Sequence, residues 1–351
     1  MGLKILHSAD WHLGAAFASM SSQQRRHLRQ QQLLLPGKIA EICHRESCDL
    51  VLLSGDVFDG IPGRETVDAV KNALADCGVP VFVSPGNHDF CGIGSPWVEE
   101  TWPNNVHVFK GGLTSVPLPK LDCRVYGAGY SSMDCPPLLT HFCAQAQEKY
   151  SVGVLHADPM NLNSPYCPVT AAQIRESGLA YLALGHIHKA GSLTEGDTLC
   201  GWPGCPMGRG WDETGEKGVY LVTLEDTASI RFVPLDVPVF WDLEVDVTED
   251  PISAVAAVLP AADSEDFFRV TLTGGAEVDL QSLQQSFVRF PNLTFRDRTD
   301  PPMDIWADAG EDTFRGVYFG LLRELAESDE TANLAAEISC RILSGREVPL
   351  P

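Results

Sequence analysis

Short, nearly continuous apolar runs alternate along the first half of the chain with longer segments of helical apolar spacing. The runs predict strands at residues 3–7, 49–54 and 79–84, with helices over 21–47 and 64–77 between them. The runs lack polar alternation, as in parallel strands buried on both faces. Strand–helix–strand–helix–strand order predicts an α/β fold with parallel pairing. Pro36-Gly37 is expected to kink or split the first helix, because proline has no amide proton and clashes with the preceding turn. Residues 106–109, 113–116 and 123–127 read as short antiparallel strands, and 138–149 as a helix. Strands at 151–155 and 179–184 flank a helix over 170–177, capped by Thr170 and stopped by Gly178. Short strands and turns fill 191–235, among them a glycine-rich segment over 201–218.

A boundary is expected near 236–241. Beyond it, strands at 242–247, 267–272 and 293–298 alternate with helices at 251–259 and 280–290, a small α+β module. After the breaker Asp300-Pro301-Pro302, amphipathic helices at 312–327 and 330–343 suggest a helical hairpin. The expected organisation is therefore 1–236, 237–300 and 301–351.

Composition adds limits. No apolar run approaches the ~18 residues of a membrane span, so no membrane is expected, and the opening residues do not read as a secretory signal. The 11 cysteines are odd in number and include no C-x-x-C pair. They read as reduced, buried thiols, and the expected compartment is the cytoplasm. The net charge is −22. Residues 237–351 hold 22 acids, 8 bases and no Lys. An acidic surface repels nucleic acid.

The candidate chemistry lies at strand ends. Five of them carry D-x-H (Asp10, His12), G-D-x-x-D (Asp56, Asp59), G-N-H-D (Asn87, His88, Asp89), H-x-D (His156, Asp158) and G-H-x-H (His186, His188), in that order. Each alone is weak; five in series point to a mixed carboxylate, imidazole and amide site for Mn, Fe or Zn. Carboxyl ends of parallel strands are where open α/β sheets bind ligands. Two metals about 3.5–4 Å apart clamp the attacking and leaving oxygens of a phosphoryl transfer. His7, His27, His44, His107 and His141 have no such partners and read as structural or surface residues.

These motifs resemble the calcineurin-like metallophosphoesterases over residues 3 to about 236. The segments KILHSADWHLG, GDVFD, PGNHD, ALGHIHK and GRGWDETGEKG look like the DNA repair exonucleases related to SbcD and Mre11, closest to the YhaO-like branch. The resemblance implies a four-layer α/β/β/α sandwich, followed by a small capping domain and a C-terminal helical segment. It implies one metal, Mn2+ as first choice, on Asp10, His12, Asp56 and His188. A second would lie on Asp56, Asn87, His156 and His186. It further implies that His88 assists the leaving oxygen and that Asp89 orients His88. Asp59 stands as either an outer support or a solvated loop residue. Arg209 and Lys189 are candidate phosphate contacts, against the plain reading of loop cations. The implied function is a DNA exonuclease, as a homodimer, with an SMC/Rad50-like coiled-coil ATPase docked on the C-terminal helices. A phosphodiesterase of small nucleotides fits the acidic charge better and stands as the alternative.

Overall fold

The computed structural model describes residues 2–145, 147–345 and 348. The first half of the chain folds as β1 (Leu3–Ser8), α1 (Ser22–Arg45), β2 (Leu50–Leu53), α2 (Arg64–Asp76), β3 (Val81–Val83), α3 (Pro96–Glu99), β4 (Val106–Val108), β5 (Gly111–Leu118), β6 (Cys123–Gly129) and β7 (Tyr150–His156). Then come α4 (Ala171–Glu176), β8 (Tyr181–Gly185), β9 (Gly191–Glu195), β10 (Thr198–Trp202), β11 (Gly218–Leu224) and β12 (Ala228–Pro234). The remainder is β13 (Phe240–Asp246), α5 (Pro251–Val258), β14 (Phe267–Thr273), α6 (Leu280–Ser286), β15 (Leu293–Asp297), α7 (Phe314–Ala326) and α8 (Glu330–Leu343).

Two six-stranded sheets form, in the orders β12-β11-β1-β2-β3-β4 and β5-β6-β7-β8-β10-β9. Strand side chains alternate between faces, and both faces are buried, which explains the unbroken apolar runs. Leu3, Ile5, Leu50, Leu52 and Phe82 of the first sheet meet Val125, Val152, Val154 and Ala183 of the second in one core. The alternate residues Leu6, Val51, Leu53 and Val81 pack outward against Leu28, Leu35 and Ile39 of α1 and Val70 and Leu74 of α2. On the far side Leu155, Leu182 and Leu184 cover Ile174 of α4. The layers are therefore helix, sheet, sheet, helix. Each buried leucine or valine contributes about 1.5–3 kcal/mol.

Three local expectations need correction. Pro36 does not split the first helix: α1 runs unbroken from its Ser21–Gln24 capping box. Leu28, Leu35, Ile39 and Cys43 bury one face of it, and that packing outweighs the roughly 3 kcal/mol of an interior proline. The segment 138–149 is not helical in its described residues. His141 has φ +58°, and only Leu139 anchors deeply; Ala146, inside that segment, lies outside the described residues. Residues 106–108 do not pair antiparallel: β4 lies parallel to β3 at the edge of the first sheet. The β5–β6 pair is antiparallel, but β6 runs parallel to β7.

Compactness divides the chain into two units. One comprises 1–243, 261–270 and 287–294, the other 244–260, 271–286 and 295–351. In the second, Phe319, Ala336 and Cys340 form a small core between α7 and α8, with Trp306 and Leu322 against it. Tyr318 Oη and Ser339 Oγ, 2.8 Å apart, tie the two helices. Phe314, Val317, Leu321 and Leu325 of α7 are exposed, and their spacing puts them along one side of the helix. Among the described residues no helix is long and apolar enough to cross a membrane.

Candidate metal centre

Strand register assembles the site. β1, β2 and β3 end level, Ser8 opposite Leu53 and Leu53 opposite Val83. Their following loops therefore emerge together, carrying Asp10, Asp56 and Asn87. Backbone bonds continue the alignment past the strands: Asp10 N donates to Gly55 O (3.0 Å) and His12 N to Asp56 O (2.9 Å). In the second sheet His156 lies opposite Gly185, so His186 follows at the same height. Gly55 takes φ +91°, and a Cβ on Gly86 would lie 2.3 Å from Asp56 Oδ1. Only glycine allows that approach.

Several inward groups have their other atoms already committed. Asp56 Oδ1 accepts from the His88 amide (2.9 Å). Its Oδ2 lies 3.7 Å from His12 Nε2 and 3.4 Å from His156 Nε2. One carboxylate oxygen thus faces imidazoles of both sets. Asp10 Oδ1 accepts from His186 N (3.0 Å), while Oδ2 is buried without a hydrogen-bond partner. His156 Nδ1 donates to Ser54 O (3.0 Å), leaving Nε2 to face Asn87 Oδ1 at 2.9 Å. His188 Nδ1 donates to Glu213 Oε1 (2.7 Å), and its Nε2 meets His12 Nε2 at 3.2 Å. Outer groups that fix the tautomer in this way are the usual support of a metal-binding imidazole. Converging lone pairs, an orphaned carboxylate oxygen and an oxygen/nitrogen donor set fit divalent cations.

Three groups place one ligand atom per residue within 4.8 Å of one another: Asp10, His12 and His188; Asp10, Asp56 and His156; His12, Asp56 and His88. His186 joins none of them. Its ring stands 5.3 Å from that of His156, and its Nε2 is 3.7 Å from Asp158 Oδ2. The backbone is strained here. Among the described residues nine non-glycine positions have positive φ, and four are Asp10 (52°), His12 (45°), Asp56 (49°) and His186 (85°). Left-handed conformation at such residues marks functional sites.

Electrostatics follow the contacts. Burial pushes the Asp56 carboxyl up, but His156, His12 and the His88 amide outweigh it and hold the group below the usual carboxylate range. The nearby imidazoles of His12 and His88, at 3.5 and 2.9 Å, hold Asp59 well below that range. The bond to Asp59 raises His88 against the effect of partial burial. Burial opposes ionisation of Glu213, yet His188 and Arg209 keep it well below its ordinary value. Burial lowers His186, and His156 adds to the effect.

The expectation that Asp89 orients His88 is overturned. Asp89 is buried and turned away, accepting from Val57 N (2.9 Å), Phe58 N (3.3 Å), Gly86 N (2.8 Å) and Trp97 Nε1 (2.9 Å). It knits the loops after β2 and β3. His88 Nδ1 instead meets Asp59 Oδ1 at 2.9 Å. Arg209 clamps Glu213 through Nε (3.1 Å) and Nη2 (2.6 Å), so its guanidinium supports His188 through that carboxylate. Lys189 is exposed. Glu213 carried no role in the sequence motifs, although it lies in the GRGWDETGEKG segment. His7, buried between the sheets, bonds Tyr181 Oη and Ser54 Oγ, both at 2.7 Å.

A carboxylate oxygen set between imidazoles from two sheets, with an outer imidazole on the rim, defines a metal-dependent phosphoesterase. The chain belongs to the calcineurin-like phosphoesterases, whose family model matches residues 3–190, more than half of it; members bind a dimetal centre. It is 30% identical over 269 residues to the uncharacterized metallophosphoesterase YhaO of Bacillus subtilis, covering 70% of this chain and 64% of that one. It is 24% identical over 266 residues to the SbcD component of the SbcCD nuclease of the same organism, covering 63% and 66%. The chain thus spans just under two thirds of the length of these relatives. A dimetal phosphatase from Danio rerio superposes with a TM-score of 0.43 at 14% identity, over 66% of this chain and 95% of that one.

Proposed function

We propose that this chain is a dimetal DNA phosphodiesterase, an exonuclease that works with an SMC/Rad50-like coiled-coil ATPase. The observation that carries the hydrolytic reading is His88. Its side chain is 43% exposed while those of His12 and His156 are fully buried, and Asp59 holds its Nδ1. Nε2 is thereby left to reach a phosphoryl or leaving oxygen, which a diester with an alkoxide leaving group requires. Asp10, His12, Asp56, Asn87, His156, His186 and His188 would hold two divalent ions, Mn2+ first among them. When bound, those ions supply Lewis-acid stabilisation of phosphoryl charge.

The similarity to the SbcD component of the SbcCD nuclease supports DNA as substrate. On this reading residues 1–236 are the nuclease body, 237–300 a cap shaping access and 301–351 the docking segment. The exposed stripe Phe314, Val317, Leu321 and Leu325 suits a helical partner. The chain would act in the cytoplasm as a homodimer. The net charge of −22 favours one second reading, a phosphodiesterase of small nucleotides, which needs little phosphate-backbone affinity.

The test is hydrolysis of linear double-stranded DNA, single-stranded DNA and bis-p-nitrophenyl phosphate with Mn2+, beside His88→Asn. DNA cleavage lost in the variant is expected. Turnover of the small diester with no DNA cleavage, even with the coiled-coil ATPase added, would replace the nuclease with the small-nucleotide enzyme.

A further inference from the structure

Beside the metal centre lies a cleft of about 500 Å³ that the chemistry above does not use. Its walls include Asp59, which holds His88, and Arg209, which clamps Glu213 behind His188. The cleft therefore adjoins the groups that support His88 and His188. Its size falls in the range of small-ligand pockets. Residues 15–19 of the lining include the small, exposed Ala16 and Ala18. Trp211 is the one large aromatic of the lining that is partly exposed.

Trp211 is fixed in place. The Arg269 guanidinium lies 4.6 Å from the ring centroid, and Arg269 is itself paired with Asp242. The Phe240 ring meets Trp211 edge-on at 5.2 Å. A large, rigid, partly open aromatic ring in a loop next to a phosphoester site has the form of a stacking platform. Ala16 and Ala18 in the same lining leave room for a flat ring.

On the phosphodiesterase reading, the geometry points to this cleft as a nucleobase subsite. Trp211 stacks the base on the leaving side of the scissile phosphate, next to His88, and so determines specificity. A diester lacking that base loses the platform while its phosphate still reaches the centre. Stacking of one base changes affinity on the order of ten- to a hundredfold.

The experiment uses the full chain with Mn2+ and three substrates: thymidylyl-thymidine and its two counterparts with one base or the other removed. In the wild type, kcat/KM falls about tenfold or more when one particular base is absent. In Trp211→Ala that fall shrinks to within about twofold, and Trp211→Phe retains most of it. Ala16→Leu, at an exposed position in the cleft wall, adds bulk to the cleft and also reduces the preference. A general loss of structure lowers all three substrates together and leaves the base dependence intact, which would refute the platform. Indifference of the wild type to both bases, with bis-p-nitrophenyl phosphate still hydrolysed, sinks the subsite alone. If no diester of either kind is hydrolysed, the phosphodiesterase reading falls and the subsite with it.

Discussion

Replacing Asp59 and Asp89 separately by asparagine divides positioning of His88 from maintenance of the loops around it. Asp89 accepts four bonds, three on Oδ2 and one on Oδ1. Asparagine keeps one acceptor oxygen. With that oxygen in the Oδ2 position, its amide faces the Gly86 N–H, and a donor meets a donor. A bond to a charged acceptor is worth roughly 1.5–3 kcal/mol and to a neutral one about 0.5–1.5. Weakening three and losing the fourth removes about 4–6 kcal/mol. Relief of a buried charge offsets part of this, since burial already raises the Asp89 carboxyl. The net expectation is about 2–4 kcal/mol, or roughly 5–15 °C in Tm at a few degrees per kcal/mol. Asp59 is 28% exposed and His88 43%, so solvent screening keeps the stability effect of Asp59→Asn under about 1 kcal/mol. Its kcat, measured at saturating Mn2+, falls about 10–100-fold, the usual effect of removing an outer support. Thermal melts and steady-state turnover of the two variants decide the matter. An Asp89→Asn protein that melts like wild type but loses turnover as Asp59→Asn does would return the orientation of His88 to Asp89.

Three further outcomes follow from the contacts. Burial lowers His7 to about 3 from 6.5, so the unfolded chain binds a proton there that the folded chain refuses; stability is complete above pH 6.5 and is lost as pH falls from 6.5 toward 3. That loss amounts to about 2 kcal/mol between pH 6.5 and 5, and denaturant midpoints for His7→Gln should lack this share of the slope; equal slopes refute it. Glu213→Gln removes the charge behind His188 and should weaken Mn2+ binding about 10–100-fold by calorimetry; unchanged affinity would show that Arg209 and Glu213 serve the loop alone. Gly86→Ala drives a methyl into Asp56 Oδ1 and the His156 ring, so turnover should drop by about a hundredfold or more, and a fully active variant would mean that the loop yields.

Much of the fold was legible because buried parallel strands are local signals. Residues 49–54 announce β2 by composition alone, and each strand end carries a candidate ligand by its residue type. The groups behind the ligands were not legible. Asp89 is next to His88 in sequence yet points the other way, because it satisfies amides of a neighbouring loop. Asp59 reaches His88 from a different loop, and Glu213 reaches His188 from 25 residues away. Neither contact leaves a periodic trace. Pro36 misled for the opposite reason: local propensity spoke against an unbroken helix, and long-range packing of α1 prevailed.

The left-handed backbone at Asp10, His12, Asp56 and His186 has a consequence for how such a protein changes under selection. Each of these residues sits in a conformation about 1–2 kcal/mol above the right-handed alternative, where glycine would rest without strain. Together they hold several kcal/mol, comparable with the whole margin of a typical folded domain. Glycine at these positions would relieve the backbone but forfeit the side chains, so that Asp56 and Asp10 would no longer accept from the amides of His88 and His186. The fold must therefore draw its surplus from the apolar layers to keep these candidate ligands in strained backbone, and a substitution that eases the strain costs the site.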